Sequence, residues 1–111
     1  MISFCLSKGS RSFAAFKAAR NFGVSILSND QDDIAKNFSQ KKVDKFSNVN
    51  YTIGELSKSP LIVGATCFLE CTKYEQFSCG DHDIFIGKVI STKIDDSKSP
   101  IVYFAKSYLK I

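Results

Sequence analysis

The chain has 111 residues, 44% of them hydrophobic, and a formal net charge of +4 from 15 basic and 11 acidic side chains. A chain of this length is expected to form one domain, residues 1–111, with a small core that subunit pairing would help to cover. The basic residues are spread along the chain without a long run, which argues against a nucleic-acid binder and suits an anionic small-molecule ligand.

Neither a membrane segment nor an export signal is recognisable in the sequence. The apolar stretch at residues 2–6 is too short for a signal peptide, and no run approaches the roughly 18 apolar residues of a membrane helix. We therefore predict a cytoplasmic protein with no membrane partner. In a reducing compartment its four cysteines are expected to remain thiols.

The first half of the chain predicts two strands and two helices. Residues 2–7 favour a strand, and residues 11–20 favour a helix with Ser10 as its N-cap. Alternating apolar residues at 22–27 indicate a second strand. A second short helix is predicted at residues 31–38, with two aspartates in its first turn, where they suit the helix dipole.

The second half predicts strands joined by short connections. We predict strands at residues 61–74, with an interruption at Gly64, at 83–94 and at 101–104, with a loop at 75–80 and a tail at 105–111. Consecutive strands with hairpin-sized turns are typical of an antiparallel meander. Both faces of the 83–94 strand are apolar, which predicts a barrel wall covered on both sides by helices or a second subunit.

Three cysteines and the only histidine fall within 16 positions: Cys67, Cys71, Cys79 and His82. Structural zinc sites use closely spaced pairs on turns, whereas Cys67 and Cys71 lie in a predicted strand, where their separation spans about 13 Å. That separation is too large for two ligands of one ion, so we predict no metal site. We interpret Cys5, Cys67 and Cys71 as small buried hydrophobes.

Two polar segments and one histidine are candidates for binding. Residues 7–12 join a strand to a helix, and free N–H groups, hydroxyls and Lys8 there suit an anion site or an ordinary capped helix. Residues 28–31 similarly suit the cap of the second helix. His82 begins the long strand as a surface hydrogen-bonding residue or as a functional one. Local sequence leaves these alternatives open.

Four separated stretches carry recognisable motifs. They are residues 3–12, residues 22–28 with Gln31 and Phe38, residues 60–71, and residues 80–89 followed by 100–104. In this order they resemble the flavin reductase-like family, the FMN-binding split barrels. The second stretch is similar to the family pattern F-x-V-N-x-L, with Ser25 in place of the asparagine, and the fourth contains a G-D-H triplet. The resemblance covers essentially the whole chain.

The resemblance implies a fold and an activity. The fold would be mainly β with two short helices, an antiparallel split β-barrel that forms a homodimer. The activity would be reduction of FMN or FAD by NADH or NADPH, since members serve as reductase components for flavin-dependent monooxygenase partners. On this resemblance we predict a flavin-binding oxidoreductase.

The resemblance also implies site residues. Four residues of the strand-to-helix loop would hold the flavin phosphate: Ser7, Lys8, Ser10 and Ser12. Asn29 and Gln31 would lie near the flavin edge. His82 would lie beside the flavin and orient the nicotinamide or tune the electrostatics of the reduced flavin, rather than act as an obligatory acid or base.

The likeness begins partway along the family pattern. Members carry roughly 45 to 50 further residues in front, including a barrel strand and a G-x-T-x-N-S segment around the flavin ring, and loss of that strand leaves sheet edges unpaired. We therefore expect an incomplete barrel, from a truncated product, a relic or a chain completed by another chain. The alternative function is a non-catalytic, degenerate dimeric module that no longer binds cofactor.

Overall fold

The structure is a computed structural model that describes residues 1–41 and 44–111. Within these ranges it contains helices α1 (Phe13–Ala18) and α2 (Asp32–Ser39) and strands β1 (Ile2–Ser7), β2 (Asn21–Ile26), β3 (Tyr51–Ile53), β4 (Pro60–Ile62), β5 (Cys67–Cys79), β6 (His82–Ile94), β7 (Val102–Phe104) and β8 (Ser107–Leu109). Neither described helix is long and apolar enough to cross a membrane.

Four strands form the main sheet in the order β1-β6-β5-β2, and each neighbouring pair is antiparallel. Strands β5 and β6, of 13 residues each, form a long hairpin that gives the sheet its centre. The sheet curls into half a barrel. Two further hairpins, β3-β4 and β7-β8, form separate two-stranded sheets. The predicted fold class, mainly β with two short helices in an antiparallel barrel-like sheet, is confirmed.

The predicted loop at residues 75–80 is wrong, because β5 continues to Cys79. Its polar side chains hide the strand pattern, but the backbone pairs with β6 throughout, for example Phe77 with Ile84. Two irregularities, at residues 70–71 and 73–75, shift the alternation of side chains. Gly80 at φ +60° supplies the left-handed residue that the tight turn into β6 needs.

The predicted tail at residues 105–111 is also wrong, because Ser107–Leu109 pairs with β7 as strand β8. The turn between these strands contains Ala105 and Lys106 at φ of 49° and 64°. Such turns usually contain glycine or asparagine, so the sequence lacked the usual hairpin signal.

Helix α1 is shorter than predicted, with Ser12 rather than Ser10 at its N-cap and no side-chain cap bond. The Ser10 hydroxyl accepts a hydrogen bond from the Ser12 backbone N–H at 3.2 Å, and the Ser10 N–H donates to the Ser7 carbonyl at 3.0 Å. These local turns occupy the residues that were expected to form the first helical turn.

A cluster of phenylalanines between the sheet and α1 forms the core. Phe85 is 1% exposed and stacks on Phe4 with 5.0 Å between ring centroids. Phe16 of α1 and Phe22 of β2 meet Phe4 edge-on at 5.4 and 5.2 Å. Gly87 is required because a Cβ there would collide with the Phe22 ring. This packing holds α1 against the sheet and so positions the loop that precedes it.

The opposite face of β6 is not covered within the described chain. Ile84 and Ile86 are only partly buried and Ile90 is 39% exposed, whereas Phe85 on the inner face is fully packed. The prediction that both faces of β6 are covered is therefore met, within the described part of one chain, on the inner face alone.

Candidate functional site

The polar residues singled out by sequence fall at opposite ends of the β5-β6 ladder. One end, the turn end, comprises Lys8, Ser78 and residues 80–82, where Ser7 pairs with His82 and His82 with Cys79. The other end, the ladder base, comprises Ser28, Asn29, Gln31 and Val63, which follow β2 and β4. Strand β2 reaches this end because Ile26 pairs with Cys67, and Cys67 pairs with Ile94 at the last position of β6.

At the turn end, Lys8 ties the start of the α1 loop to the hairpin. Its backbone N–H donates to the Asp81 carbonyl at 2.9 Å. Its ammonium donates to the Ser78 hydroxyl at 2.6 Å and to the Gly80 carbonyl at 2.8 Å. Two of its three donors are thus used inside the protein, and Lys8 stabilises the turn in this structure.

His82 lies beside Lys8 with its side chain 46% exposed. Its Nδ1 is 2.9 Å from the Asp81 carboxylate, and this hydrogen bond is the main reason that the pKa of Asp81 is below its usual value of 3.8. Since the carboxylate only accepts, Nδ1 donates and a neutral ring carries its lone pair on Nε2. His82 therefore has a defined tautomer and an Nε2 that can accept from, or after protonation donate to, a ligand.

A cavity of about 640 Å³, the basic cavity, opens beside the loop before α1. Its walls are residues 9–12, 39–41 and 44–46, so Ser10 and Ser12 line it together with the cations Arg11, Lys41 and Lys45. Lys8 is absent from these walls. Nothing in the sequence relates Lys41 and Lys45 to this cavity, because their place beside Ser10 depends on how α2 packs.

A second cavity of about 620 Å³, the apolar cavity, lies between α1, β2 and α2. Phe16, Phe22 and Phe38 contribute rings to its walls. The two cavities share three wall positions: Ser12, Lys45 and Phe46. The two cavities are therefore neighbours, and an apolar cavity beside a basic one suits a ligand that carries an aromatic ring system and a phosphate.

At the ladder base, Gln31 is buried and both ends of its side-chain amide are hydrogen-bonded. Its Oε1 accepts from the Ser28 N–H at 3.0 Å, and its Nε2 donates to the Val63 carbonyl at 2.9 Å. The Asn29 backbone N–H donates to the Ser99 carbonyl at 2.9 Å. Within one chain these residues hold loops together, and the structure does not bring them to His82 or Ser10.

Glu70 is a buried carboxylate whose role the sequence alone does not predict. It is 7% exposed, and its Oε1 accepts from the Leu56 N–H, the Ser57 N–H and the Ser57 hydroxyl at 3.2, 2.9 and 2.8 Å. These hydrogen bonds, chiefly those from Ser57, hold the pKa of Glu70 below its usual 4.5. The signal in the sequence was an acid between two apolar residues of a strand, Leu69 and Cys71.

The cysteines differ in their surroundings. Cys71 is fully buried, as predicted, and burial raises the pKa of its thiol. Cys67 is partly buried, with its Sγ 3.7 Å from the Thr92 hydroxyl. The prediction for Cys5 is wrong: it is exposed, because it lies on the uncovered face of β1. In the part of the chain that the structure describes, no three His, Cys, Asp or Glu side chains are placed to share a metal ion.

A family model described as "Flavin reductase like domain" matches residues 1–111. The actinorhodin polyketide dimerase of Streptomyces coelicolor is 32% identical over 94% of this chain and 58% of its own length. The reductase subunit HsaB of a flavin-dependent monooxygenase from Mycobacterium tuberculosis is 32% identical over the whole of this chain and 60% of its own length. This chain thus spans about three fifths of the length of these relatives.

Solved structures agree with the sequence comparison. The NADH:FAD oxidoreductase of Streptomyces globisporus C-1027, in complex with NAD and FAD fragments, superposes with a TM-score of 0.93 at 30% identity, covering 98% of this chain and 66% of that one. The flavin reductase HpaC complexed with NADP+ superposes with a TM-score of 0.87 at 26% identity, covering 98% of this chain and 69% of that one.

Proposed function

Because this chain belongs to the flavin reductase-like family, we propose that it binds FMN or FAD and catalyses reduction of that flavin by NADH or NADPH. The observation that carries the proposal is a pair of neighbouring cavities, one apolar and one basic, that share the wall residues Ser12, Lys45 and Phe46. A flavin nucleotide has a flat ring system at one end and phosphate at the other. The residues present therefore fit this cofactor.

The bound flavin supplies the two-electron chemistry, and the protein supplies binding and orientation. In our proposal Ser10 and Ser12 offer hydroxyls to the phosphate from the wall of the basic cavity. Ser7 and Lys8 support them from the turn end, and Lys8 can reach a phosphate with its third ammonium donor or by exchanging a partner.

His82 would act through Nε2, because Asp81 occupies Nδ1. Its proposed role is to orient the nicotinamide or to stabilise negative charge on the reduced flavin when the ring is protonated. No step in this role requires His82 to transfer a proton to the substrate.

We further propose that the functional unit is a homodimer. The accessible surface of 7502 Å² exceeds the roughly 6,100 Å² expected of a compact monomer of 12.3 kDa. Exposed Ile90, Phe77 and Tyr74 on the central hairpin account for part of this excess. Asn29 and Gln31 enter the flavin site only as residues of a second copy, since they lie at the ladder base of their own chain.

A flavin-dependent monooxygenase is the proposed partner that uses the reduced flavin. The support is that a relative 32% identical to this chain is the reductase subunit of such an enzyme. Reduced flavin would leave these cavities, of which the basic one is lined largely by exposed residues, and pass to the oxygenase.

The proposal is tested by titrating the purified protein with FMN and with FAD at micromolar concentration. We expect saturable binding of at least one of them and NADH or NADPH oxidation that depends on added flavin. His82→Ala should slow this oxidation more than it weakens flavin binding, while Lys93→Gln, on an exposed part of β6, should change neither.

Two outcomes would contradict the proposal at different points. An equal loss of binding and of oxidation in His82→Ala would show that His82 holds the flavin rather than orienting the nicotinamide. Absence of binding to both flavins by a folded protein would reject the reductase and support the non-catalytic module.

A further inference from the structure

A third cavity, the hairpin cavity, lies between helix α2 and the β7-β8 hairpin. Its volume is about 710 Å³, within the range of roughly 300–1,000 Å³ in which proteins hold whole small molecules. Tyrosine, lysine and serine side chains form most of its walls: Tyr103, Tyr108, Lys36, Lys106, Ser39 and Ser107. Of these residues only Ser39 also lines the basic cavity, and none lines the apolar cavity. The hairpin cavity is thus separate from the cavities assigned to flavin.

The turn of the hairpin holds two residues in a conformation that side chains disfavour. Ala105 and Lys106 have φ of 49° and 64°, where such turns usually contain asparagine and glycine. Only glycine adopts this left-handed conformation without steric cost. Lys106 accepts the cost with its side chain in the cavity wall. A strained residue that lines a cavity is a candidate for a binding role.

Lys106 is also the cation of this cavity that has no partner. Lys36 pairs with Asp32, another wall residue on the same helix, with 3.5 Å between Nζ and Oδ2. These two charges offset each other. Among residues 1–41 and 44–111, Lys106 forms no ion pair and no side-chain hydrogen bond. Two lysines against one aspartate leave the walls with a net charge of +1, which favours a ligand with a single negative charge.

The two tyrosines add a preference for aromatic rings. Tyr103 and Tyr108 are paired across the hairpin, with 4.9 Å between their ring centroids. Tyr103 is 62% exposed, so ring surface remains for a ligand to pack on. Neither phenol hydroxyl has a hydrogen-bond partner in the described part of the chain. The walls therefore combine aromatic surface, free hydroxyls and one unpaired ammonium.

We propose that the hairpin cavity binds a small aromatic carboxylate, with one or two fused rings and a single negative charge. The carboxylate pairs with the Lys106 ammonium through a charge-assisted hydrogen bond, and the ring packs against Tyr103 and Tyr108. A hairpin with three residues in each strand has little stability of its own. A ligand that contacts both walls ties it to α2 and stabilises the folded protein. This site does not depend on the proposed flavin-binding function.

The experiment titrates 2-naphthoate into the wild type, Lys106→Gln and the control Lys110→Gln by isothermal titration calorimetry. Lys110 is an exposed lysine outside the cavity walls. We expect saturable binding to the wild type and a Kd about tenfold higher in Lys106→Gln, as loss of one charge-assisted hydrogen bond implies. Lys110→Gln should change the Kd by less than about twofold. 2-Naphthamide, which has the same rings without the charge, should bind the wild type about tenfold more weakly than 2-naphthoate.

Lys106→Gly separates binding from folding. Glycine fits the left-handed conformation, so this variant should unfold at the temperature of the wild type or above it. It should nevertheless bind 2-naphthoate as weakly as Lys106→Gln does, because both variants lack the ammonium. Weak binding in a variant of undiminished thermal stability cannot result from a damaged hairpin.

Four results would overturn the proposal. They are equal affinities for 2-naphthoate and 2-naphthamide, a Kd that Lys106→Gln leaves unchanged, displacement of 2-naphthoate by FMN, and no binding by the folded wild type at about 1 mM ligand. Displacement by FMN would place the naphthoate in the flavin cavities instead. In the case of no binding, sedimentation of the wild type and Tyr103→Ser identifies the alternative: a dimer that this variant dissociates would mean that a second copy covers the hairpin.

Discussion

The turn end and the ladder base both contain polar side chains, but these side chains differ in burial and in how much of their hydrogen-bonding capacity is used within the chain. At the ladder base Gln31 is 8% exposed and both ends of its amide are bonded within the chain. At the turn end His82 is about half exposed and one ring nitrogen is engaged by Asp81. A buried polar side chain thus uses its hydrogen bonds to hold parts of the chain together, whereas an exposed one keeps hydrogen-bonding groups free for a ligand.

Glu70 shows the buried case most clearly. Its carboxylate gathers Leu56 and Ser57 and so holds the turn between β3 and β4 against the sheet. Gly54 in that turn packs so closely on the carboxylate that a Cβ would collide with it. By contrast, Lys8 makes its bonds at the protein surface, where water can replace them.

Glu70→Ala should produce the largest loss of stability, about 3 kcal/mol, because it leaves the donors on Leu56 and Ser57 without their shared acceptor. Urea denaturation monitored by circular dichroism measures it. The matched control is Glu75→Ala, an exposed glutamate of the same strand, which should cost less than about 0.5 kcal/mol. Similar losses in both variants would remove the distinction between buried and exposed polar groups.

The pH dependence of stability should come from the same carboxylate. Since the folded pKa of Glu70 lies below 4.5, its charged form adds stability that is fully present above this value and is lost as the pH falls through the folded pKa. We expect wild type to be more stable than Glu70→Gln at pH 6, and the gap to narrow steadily below pH 4.5. A gap that stays constant down to pH 3 would contradict this assignment.

Lys8→Met should have the smallest effect, at most about 1 kcal/mol, because hydrogen bonds of an exposed ammonium are largely replaced by water. Its effect should be local, with faster amide hydrogen exchange at Gly80 and Asp81 and little change elsewhere. Lys93→Met provides the control for loss of an exposed lysine. A loss of stability above about 2 kcal/mol would mean that the hydrogen bonds of the turn end contribute as much stability as those of the ladder base.

The sequence predicted correctly the elements in which the order of apolar and polar residues reflects which side chains are buried. The apolar alternation of β1, β2 and β6 and the apolar spacing of α2 placed these elements to within about two residues, as expected for strongly periodic segments. The end of β5 was mistaken for a loop, because its outer residues are polar and its pairing partner is β6. Strand β8 was missed because its turn has no glycine.

The candidate site was predicted less completely than the fold. Ser10 and Ser12 were named from the loop before α1 and do line a cavity, while Lys41 and Lys45 were not, since nothing local relates them to that loop. Asn29 and Gln31 were expected near the flavin edge, and within one chain they lie at the opposite end of the ladder from His82. Whether the residues named from the sequence bind flavin stays a prediction for the titrations above.

The sequence by itself determined the family, the mainly β fold and the presence of one histidine at the start of a long strand. These follow from residue order and periodicity, which each segment carries alone. Only the tertiary structure decided that Lys8 is held by the hairpin turn and that Gln31 and Glu70 are buried and hydrogen-bond to other parts of the chain. It also decided that Arg11 lines the same cavity as Lys41. Such assignments depend on contacts between residues far apart in the chain, and burial, charge and free hydrogen-bonding capacity are properties of those contacts.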